Sequence, residues 1–447
     1  MKRAVSPKSG GLLRVLGFAF ALAICVGSIV GGGILRTPGA VVDRVPDVTF
    51  VLILWALGGL HALLGANVVS ELITSVPKAG GLYVPSRRAF GDFAGLLVGW
   101  SDWLLNAAAI AALALACGEF AALIEPSLAS RTTSVALTVL GALYLLNWLG
   151  VREGSVAQKL GSALKCLLLI LLIGTIFLLV PPAAPQAAQP AGGTGVSFLA
   201  VVVGYQLVYG AYTGWANPIY FVEEDKHASS NIPKAMALSI LAVTAVYVVM
   251  NYALLHALPI GTLRTADLPA SISLVPVFGP ASTAVIAGVA LVIVISCLNG
   301  LVMVIPRVLY GLGRDGLFLP VAQHVNRGGT PDVALLMSAA LTMLLALTGE
   351  FETVFLLMGA ITIFTMVVTD LSLFVLRRKE PDLPRPYRAI GYPLLPGLLL
   401  LIDTLLLCAV LASDPWSGLY MALLIALCIP VGLWLRRSRA EPKPAMT

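Results

Sequence analysis

Charge is the scarcest thing in this sequence. Of 447 residues only 11% are Asp, Glu, Lys or Arg, against 59% hydrophobic, and the mean hydropathy is +0.95. That excludes a water-soluble globular fold, which carries about twice as much charge. Histidine is rarer still, with four residues in no cluster, and the six cysteines (Cys25, Cys117, Cys166, Cys297, Cys408, Cys428) fall singly inside apolar runs. Neither a disulfide framework nor a metal site is expected from such spacing. Nothing resembles a hydrolase triad, a phosphate loop or a ligand cluster, so no enzyme chemistry and no cofactor are expected. The net charge of +6 does not point to nucleic acid, because the basic residues flank apolar runs, where they orient a protein in a bilayer.

Long apolar runs are what the chain has instead. About 20 apolar residues cross a bilayer, and such runs fall near residues 15–42, 49–75, 91–124, 133–150, 156–180, 198–222, 233–256, 280–310, 333–348, 351–376, 392–412 and 417–435. The first follows Met1-Lys2-Arg3 but shows no convincing cleavage site and is followed by more spans, so it reads as a helix and not a secretory signal. Twelve spans put both termini on one face. With that face cytoplasmic, 23 of the 28 basic residues lie inside, Arg36, Arg44, Arg131 and Arg264 lie outside, and Lys165 lies in the membrane. The expectation is one all-α, multi-pass integral membrane domain over residues 1–447, in the plasma membrane (the inner membrane of a bacterium), with both termini cytoplasmic.

Two spans are interrupted. Gly27-Ser28-Ile29-Val30-Gly31-Gly32-Gly33 breaks the first, and Gly210-Ala211-Tyr212-Thr213-Gly214-Trp215-Ala216-Asn217-Pro218 breaks the sixth. In hydrocarbon, freed backbone groups are tolerated only where they are buried or line a cavity. Paired breaks at matching places in two halves of a membrane protein point to a transporter's substrate site. A half-helix starting near Gly32 offers N–H groups and a positive dipole end to a carboxylate. The half-helix ending near Ser28 and Ile29 offers carbonyls to an ammonium group, so one unwound segment suits an amino acid. Glycines at 27 to 33 taken alone also fit tight helix packing; the second break favours the site. A charge-free Pro/Ala/Gly segment, 181–195, separates spans 1–5 (about 15–180) from spans 6–10 (about 198–376), leaving spans 11–12 (about 392–435) as an addition. The expected fold is a five-plus-five inverted repeat with broken helices 1 and 6 plus two extra helices.

Lys165 is the one basic residue well inside a span, about nine residues or roughly 13 Å into span 5. Such residues are functional candidates. It either holds the first broken helix with its ammonium group, or takes up and releases a proton as a carrier cycles, or, if span 5 starts later, snorkels to the interface. Glu71 and Glu223-Glu224 are expected to pair with loop arginines at an inner gate. Asp102, Glu119, Asp370 and Asp403 are expected to make interhelical hydrogen bonds, and His61 and His256 to be isolated packing residues. Asn299 faces the site only if span 8 packs on span 1. The turn-rich 77–83 segment leading to Arg87-Arg88 is either a headgroup anchor or part of a gate.

Several stretches resemble one family. GSIVGGGI at 27–34, PKAGGLYV at 77–84, GWANPIYFVEEDKHASSNIPKA at 214–235, RVLYGLGRDGLFLP at 307–320 and RPYRAIGYPLLP at 385–396 are similar, in order along the chain, to segments of the amino acid–polyamine–organocation superfamily. Gln158, Lys165 and Leu298-Asn299-Gly300 make the L-type amino acid transporter branch the nearest match. The resemblance implies alternating access, with the Gly31, Gly32 and Gly33 backbone holding a substrate carboxylate. Ser28, Ile29 and residues 210–213 would hold the amine, and Lys165 would replace a sodium ion. Where the family commonly has an aromatic gate this chain has Gly210, so either Tyr209 or Tyr212 covers the substrate or the pocket is wider; Gly32 stands where a serine is usual. The sites expected to meet substrate are therefore Ser28, Ile29, Gly31, Gly32, Gly33, Tyr209, Gly210, Tyr212, Thr213 and Asn299, with Lys165 for coupling. Protons are a candidate partner. No acidic side chain lies in either break, which favours neutral amino acids; a polyamine or cationic amino acid exchanger, or a transport-dead sensor, is the alternative.

Overall fold

The computed structural model describes residues 11–183, 198–348 and 351–440; most of the 181–195 segment, and the chain ends to residue 10 and from residue 441, lie outside them. Among the described residues the architecture is all-helical. Eight helices are long and apolar enough to cross a bilayer, and nine if a bent pair counts as one. That pair is α1 (Phe18–Ile29) and α2 (Gly33–Arg44), which meet at 42° over the first glycine cluster. The run continues with α3 (Val48–Ser75), α4 (Tyr83–Phe90), α5 (Asp92–Ile124), α6 (Thr132–Leu149), α7 (Val151–Leu179) and α8 (Phe198–Tyr212). After α8 come a 3-10 turn (Asn217–Phe221) and α9 (Ala228–Ala257). Three short helices follow, α10 (Ile260–Arg264), α11 (Pro269–Ser273) and α12 (Val275–Phe278). The chain closes with α13 (Ser282–Arg314), α14 (Asp332–Thr348), α15 (Phe351–Lys379), α16 (Leu394–Ser413) and α17 (Pro415–Ala440).

The expected spans and the helices agree to within a few residues, with three physical differences. The sixth span is not one helix to residue 222: α8 stops at Tyr212, and the chain passes through turns into the 3-10 segment. The turn-rich 77–83 segment ends in the first residue of the short helix α4. Helix α7 begins at Val151, five residues before the expected start, so Lys165 sits deeper than the sequence suggested, about 21 Å along the axis.

The core is built around α13, which packs on α5, α7 and α1, while α3 packs on α9 and α8. Helix α13 is buried along much of its length, and its last turns bury Arg307 as well as Leu309 and Leu312. Leucines such as Leu145, Leu160, Leu178 and Leu394 are exposed on the outer helices, which suits contact with lipid. Asp47 starts α3 by accepting the Phe50 N–H at 2.9 Å, an ordinary N-cap.

Candidate functional site

Three glycines in sequence weaken a helix by about 1 kcal/mol each relative to alanine, and α1 accordingly ends at Ile29. The Gly31 N–H turns back to the Ile29 carbonyl at 2.9 Å. Helix α2 restarts at Gly33, so the N–H groups of Gly33 and Ile34 stand in its first turn without an intrahelical acceptor. Gly31, Gly32 and Gly33 are only half-buried. An amide-rich, positive helix end is thereby left open in mid-chain of an apolar span.

The second break meets the first. Gly214 has φ +98°, and a Cβ there would stand 2.8 Å from the carbonyl carbon and oxygen of Ser28. Only glycine combines that backbone conformation with that approach. Ala211 lies 3.7 Å from the place a Gly33 Cβ would take. Gly210 and Thr213 are exposed, and a side chain at 210 would meet nothing within 4 Å. Thr213 folds back onto the Gly210 carbonyl through its N–H (3.2 Å) and its hydroxyl (2.7 Å).

Lys165 staples the first break. It is fully buried, and its Nζ donates to the carbonyls of Gly27 at 2.5 Å and Val30 at 2.8 Å. A buried ammonium needs such acceptors, and the unwound carbonyls need a donor; the snorkelling alternative is excluded. One and two turns earlier on α7, Ser162 and Gln158 donate to the Ala23 carbonyl at 2.7 and 3.4 Å.

The structure divides the remaining expected contacts. The Ser28 hydroxyl is buried and lacks a hydrogen-bond partner among the described residues, and the Ser28 carbonyl receives the Cys297 thiol at 3.6 Å. The Ile29 carbonyl is occupied, because Tyr247 donates to it at 2.9 Å, so of the two expected ammonium acceptors Ser28 is the more available. Asn299 lies on α13, which does pack on α1, yet its amide faces α7 and α6. It donates to Gln158 Oε1 at 2.8 Å and accepts from Asn147 Nδ2 at 3.0 Å, which places it behind Lys165 and Gln158. Tyr212 donates to the Trp55 carbonyl at 2.8 Å and packs against Tyr247, and Tyr209 packs on His61 with ring centroids 5.1 Å apart.

Comparison with known proteins gives this geometry its context. The chain matches the amino acid permease family over residues 16–432. The chain belongs to that family. This permease is 28% identical to the serine/threonine exchanger SteT of Bacillus subtilis (strain 168) over 446 residues, 97% of this chain and 99% of the relative. It is 29% identical to the human b(0,+)-type amino acid transporter 1 over 436 residues, 94% of this chain and 87% of the relative. It is 31% identical to the mouse large neutral amino acids transporter small subunit 2 over 431 residues, 91% and 79%. The L-type likeness of the sequence is thus upheld, and the chain is a multi-pass membrane transporter of amino acids and not an enzyme.

One end of the permease is locked by ion pairs. Glu224, fully buried, takes Arg307 in a fork at 2.5 and 2.8 Å, and the same guanidinium lies 4.2 Å over the Phe221 ring and donates to the Met303 carbonyl. Glu223 accepts from Arg314 at 2.6 Å and from the Ala79 N–H at 3.0 Å. Tyr83 donates to Asp315 at 3.2 Å, and burial together with the Asp315 carboxylate pushes its phenol up, so it stays protonated. Glu71 is held by Arg377 and Arg385. The expected acid–arginine pairing is therefore present, though Arg307 and Arg314 belong to a helix and not to a loop. Leu16, just before α1, is tied to the turn after α8 through the Glu224 carbonyl at 2.9 Å and the Lys226 N–H at 3.2 Å. Both broken helices are thus latched at the same end.

Of the four other acids, Asp102 accepts from Tyr220 at 2.7 Å and Glu119 pairs with Arg36 at 2.8 Å on an exposed surface, while Asp370 and Asp403 are buried and line one pocket. His61 is not isolated: its Nδ1 lies 2.6 Å from the Tyr205 hydroxyl and its Nε2 2.9 Å from Asp403. Its partners come from α8 and α16, too far along the chain for spacing to reveal them. Among the described residues no three His, Cys, Asp or Glu side chains are grouped to hold a metal ion.

Proposed function

We propose that this permease carries neutral amino acids across the plasma membrane by alternating access, as an exchanger, on a five-plus-five inverted repeat of twelve spans with both termini cytoplasmic. The observation that carries the reading is the contact between the two breaks, where the first-turn N–H groups of Gly33 and Ile34 have no intrahelical acceptor and Gly214 lies against the Ser28 carbonyl. The N–H groups of residues 31 to 34 take the carboxylate; the Ser28 carbonyl and residues 210 to 213 take the amine. The names of the relatives, a serine/threonine exchanger and a large neutral amino acid transporter, support this substrate class. The basic end carrying Arg307, Arg314 and Arg377 is the cytoplasmic one, which makes the latched ion pairs an inner gate.

Recognition of both ends of a zwitterion has a direct test. Uptake of a neutral amino acid into proteoliposomes should be competed by other neutral amino acids, and neither its N-acetyl derivative nor its amide should compete at ten times the concentration. Competition by either derivative would remove one half of the site. Gly210 supplies a second expectation. Open space at its Cβ position leaves room for a larger substrate side chain, so Gly210→Phe should cut uptake of bulky neutral amino acids at least about tenfold, on the order of 1.4 kcal/mol, while sparing alanine and serine. Equal loss for all substrates would place Gly210 outside the side-chain pocket.

A further inference from the structure

A pocket between α3, α8, α15 and α16 adjoins the second break at Thr213 and Trp215 and is lined by His61, Tyr209, Tyr212, Asp370, Asp403 and apolar groups. Asp403 is 2% exposed, Asp370 3% and His61 6%. His61 Nδ1 lies 2.6 Å from the Tyr205 hydroxyl and its Nε2 2.9 Å from Asp403, and Asp370 and Asp403 face the same pocket from α15 and α16, which pack on each other. Asp370 Oδ2 is buried with no hydrogen-bond partner among the described residues. Among the described residues no lysine or arginine lines the pocket. Two buried carboxyl groups that face one pocket disfavour the doubly ionised state.

We propose that Asp370, Asp403 and His61 form a proton-binding site that couples the position of the broken helix α8 to pH. The proposal rests on the transport reading for its consequence and not for its chemistry. A proton shared by the two carboxyl groups leaves one negative charge opposite His61, and α16 is then drawn onto α3 and, through Tyr205, onto α8. Loss of that proton sets two like charges against each other between α15 and α16 and releases α8. The groups that face the site are few: His61 from α3; Tyr205, Tyr209 and Tyr212 from α8; Asp370 from α15; and Asp403 from α16. Glu71, further along α3, is spent on Arg377 and Arg385, and Asp102 of α5 on Tyr220 and Asn106. The conformation described here is the protonated one, and it is favoured as pH falls.

Two measurements test the site. Exchange of neutral amino acids, with equal pH on both sides of the proteoliposome membrane, should rise with pH by about tenfold per unit through the titration, the slope of one proton. Asp370→Asn should be flat to within about twofold, at the low-pH level. Infrared spectra of the purified protein should show a carboxylic-acid carbonyl band at neutral pH that Asp370→Asn removes or shifts. The band needs no flux, so a protein that carries no amino acid but keeps the band defeats only the transport reading. A wild-type pH profile in Asp370→Asn, or a carbonyl band unchanged by that substitution, overturns the proton site.

Discussion

Lys165→Ala is expected to lower amino acid flux by about 10- to 100-fold while the protein still folds and inserts. The Nζ bonds to Gly27 and Val30 join α7 to the unwound stretch between α1 and α2. Hydrogen bonds from a charged group contribute about 1.5–3 kcal/mol, and 1.4 kcal/mol is a factor of ten. Without the ammonium group, two carbonyls at the break lose their donor, and the unwound stretch between α1 and α2 is no longer held to α7. Lys165→Met should behave like alanine, because it keeps the stem but not the donors. Lys165→Arg should restore little, since a planar fork does not replace a compact donor between two carbonyls. Flux and melting temperature measured on the same preparations separate the two roles. Wild-type flux in Lys165→Ala would exclude the staple from the transport cycle.

Arg307→Met is expected to be the most destabilising single change at the latched end. Glu224 is fully buried and Arg307 is 2% exposed on its side chain, and removing one partner of such a pair costs about 3–5 kcal/mol, because the other charge is left unpaired. The melting temperature should drop, and the latched end should open to water-soluble cysteine reagents directed at a probe near Tyr220. The double substitution Glu224→Gln with Arg307→Met should recover most of the stability, since replacing both members of a buried pair is often close to neutral. It should not recover the latch. If the single and double variants melt alike, the pair does not hold this conformation.

The apolar runs and the two breaks were legible because hydropathy and glycine act locally: a run of about 20 apolar residues or three successive glycines constrains its own backbone. Lys165 was legible as an anomaly of depth, and the acid–arginine pairing as charge placed next to spans. Partners were not legible. His61 reads as a lone histidine because Tyr205 is 144 positions away and Asp403 lies on another helix again. Asn299 reads as a site residue because α13 does reach α1, but which way an amide points depends on helix rotation, and rotation here is set by Gln158 and Asn147. Tyr247, which occupies the Ile29 carbonyl, carries no sequence signal apart from any other aromatic of an apolar helix. The end of α8 at Tyr212 shows the same limit. Glycine and proline mark a break between 210 and 218, yet the 3-10 turn that follows is fixed by packing of Tyr220 and Phe221 against α5 and α13.

Proteoliposomes loaded with an unlabelled neutral amino acid, and the same vesicles left empty, give the most direct test of the central claim when both are offered a radiolabelled neutral amino acid. The account predicts rapid uptake into loaded vesicles, little into empty ones, and no further gain from a sodium gradient. Equal uptake into loaded and empty vesicles would contradict exchange, and the absence of uptake in both, with folded protein and a panel of neutral amino acids, would contradict the transport reading of the two broken helices.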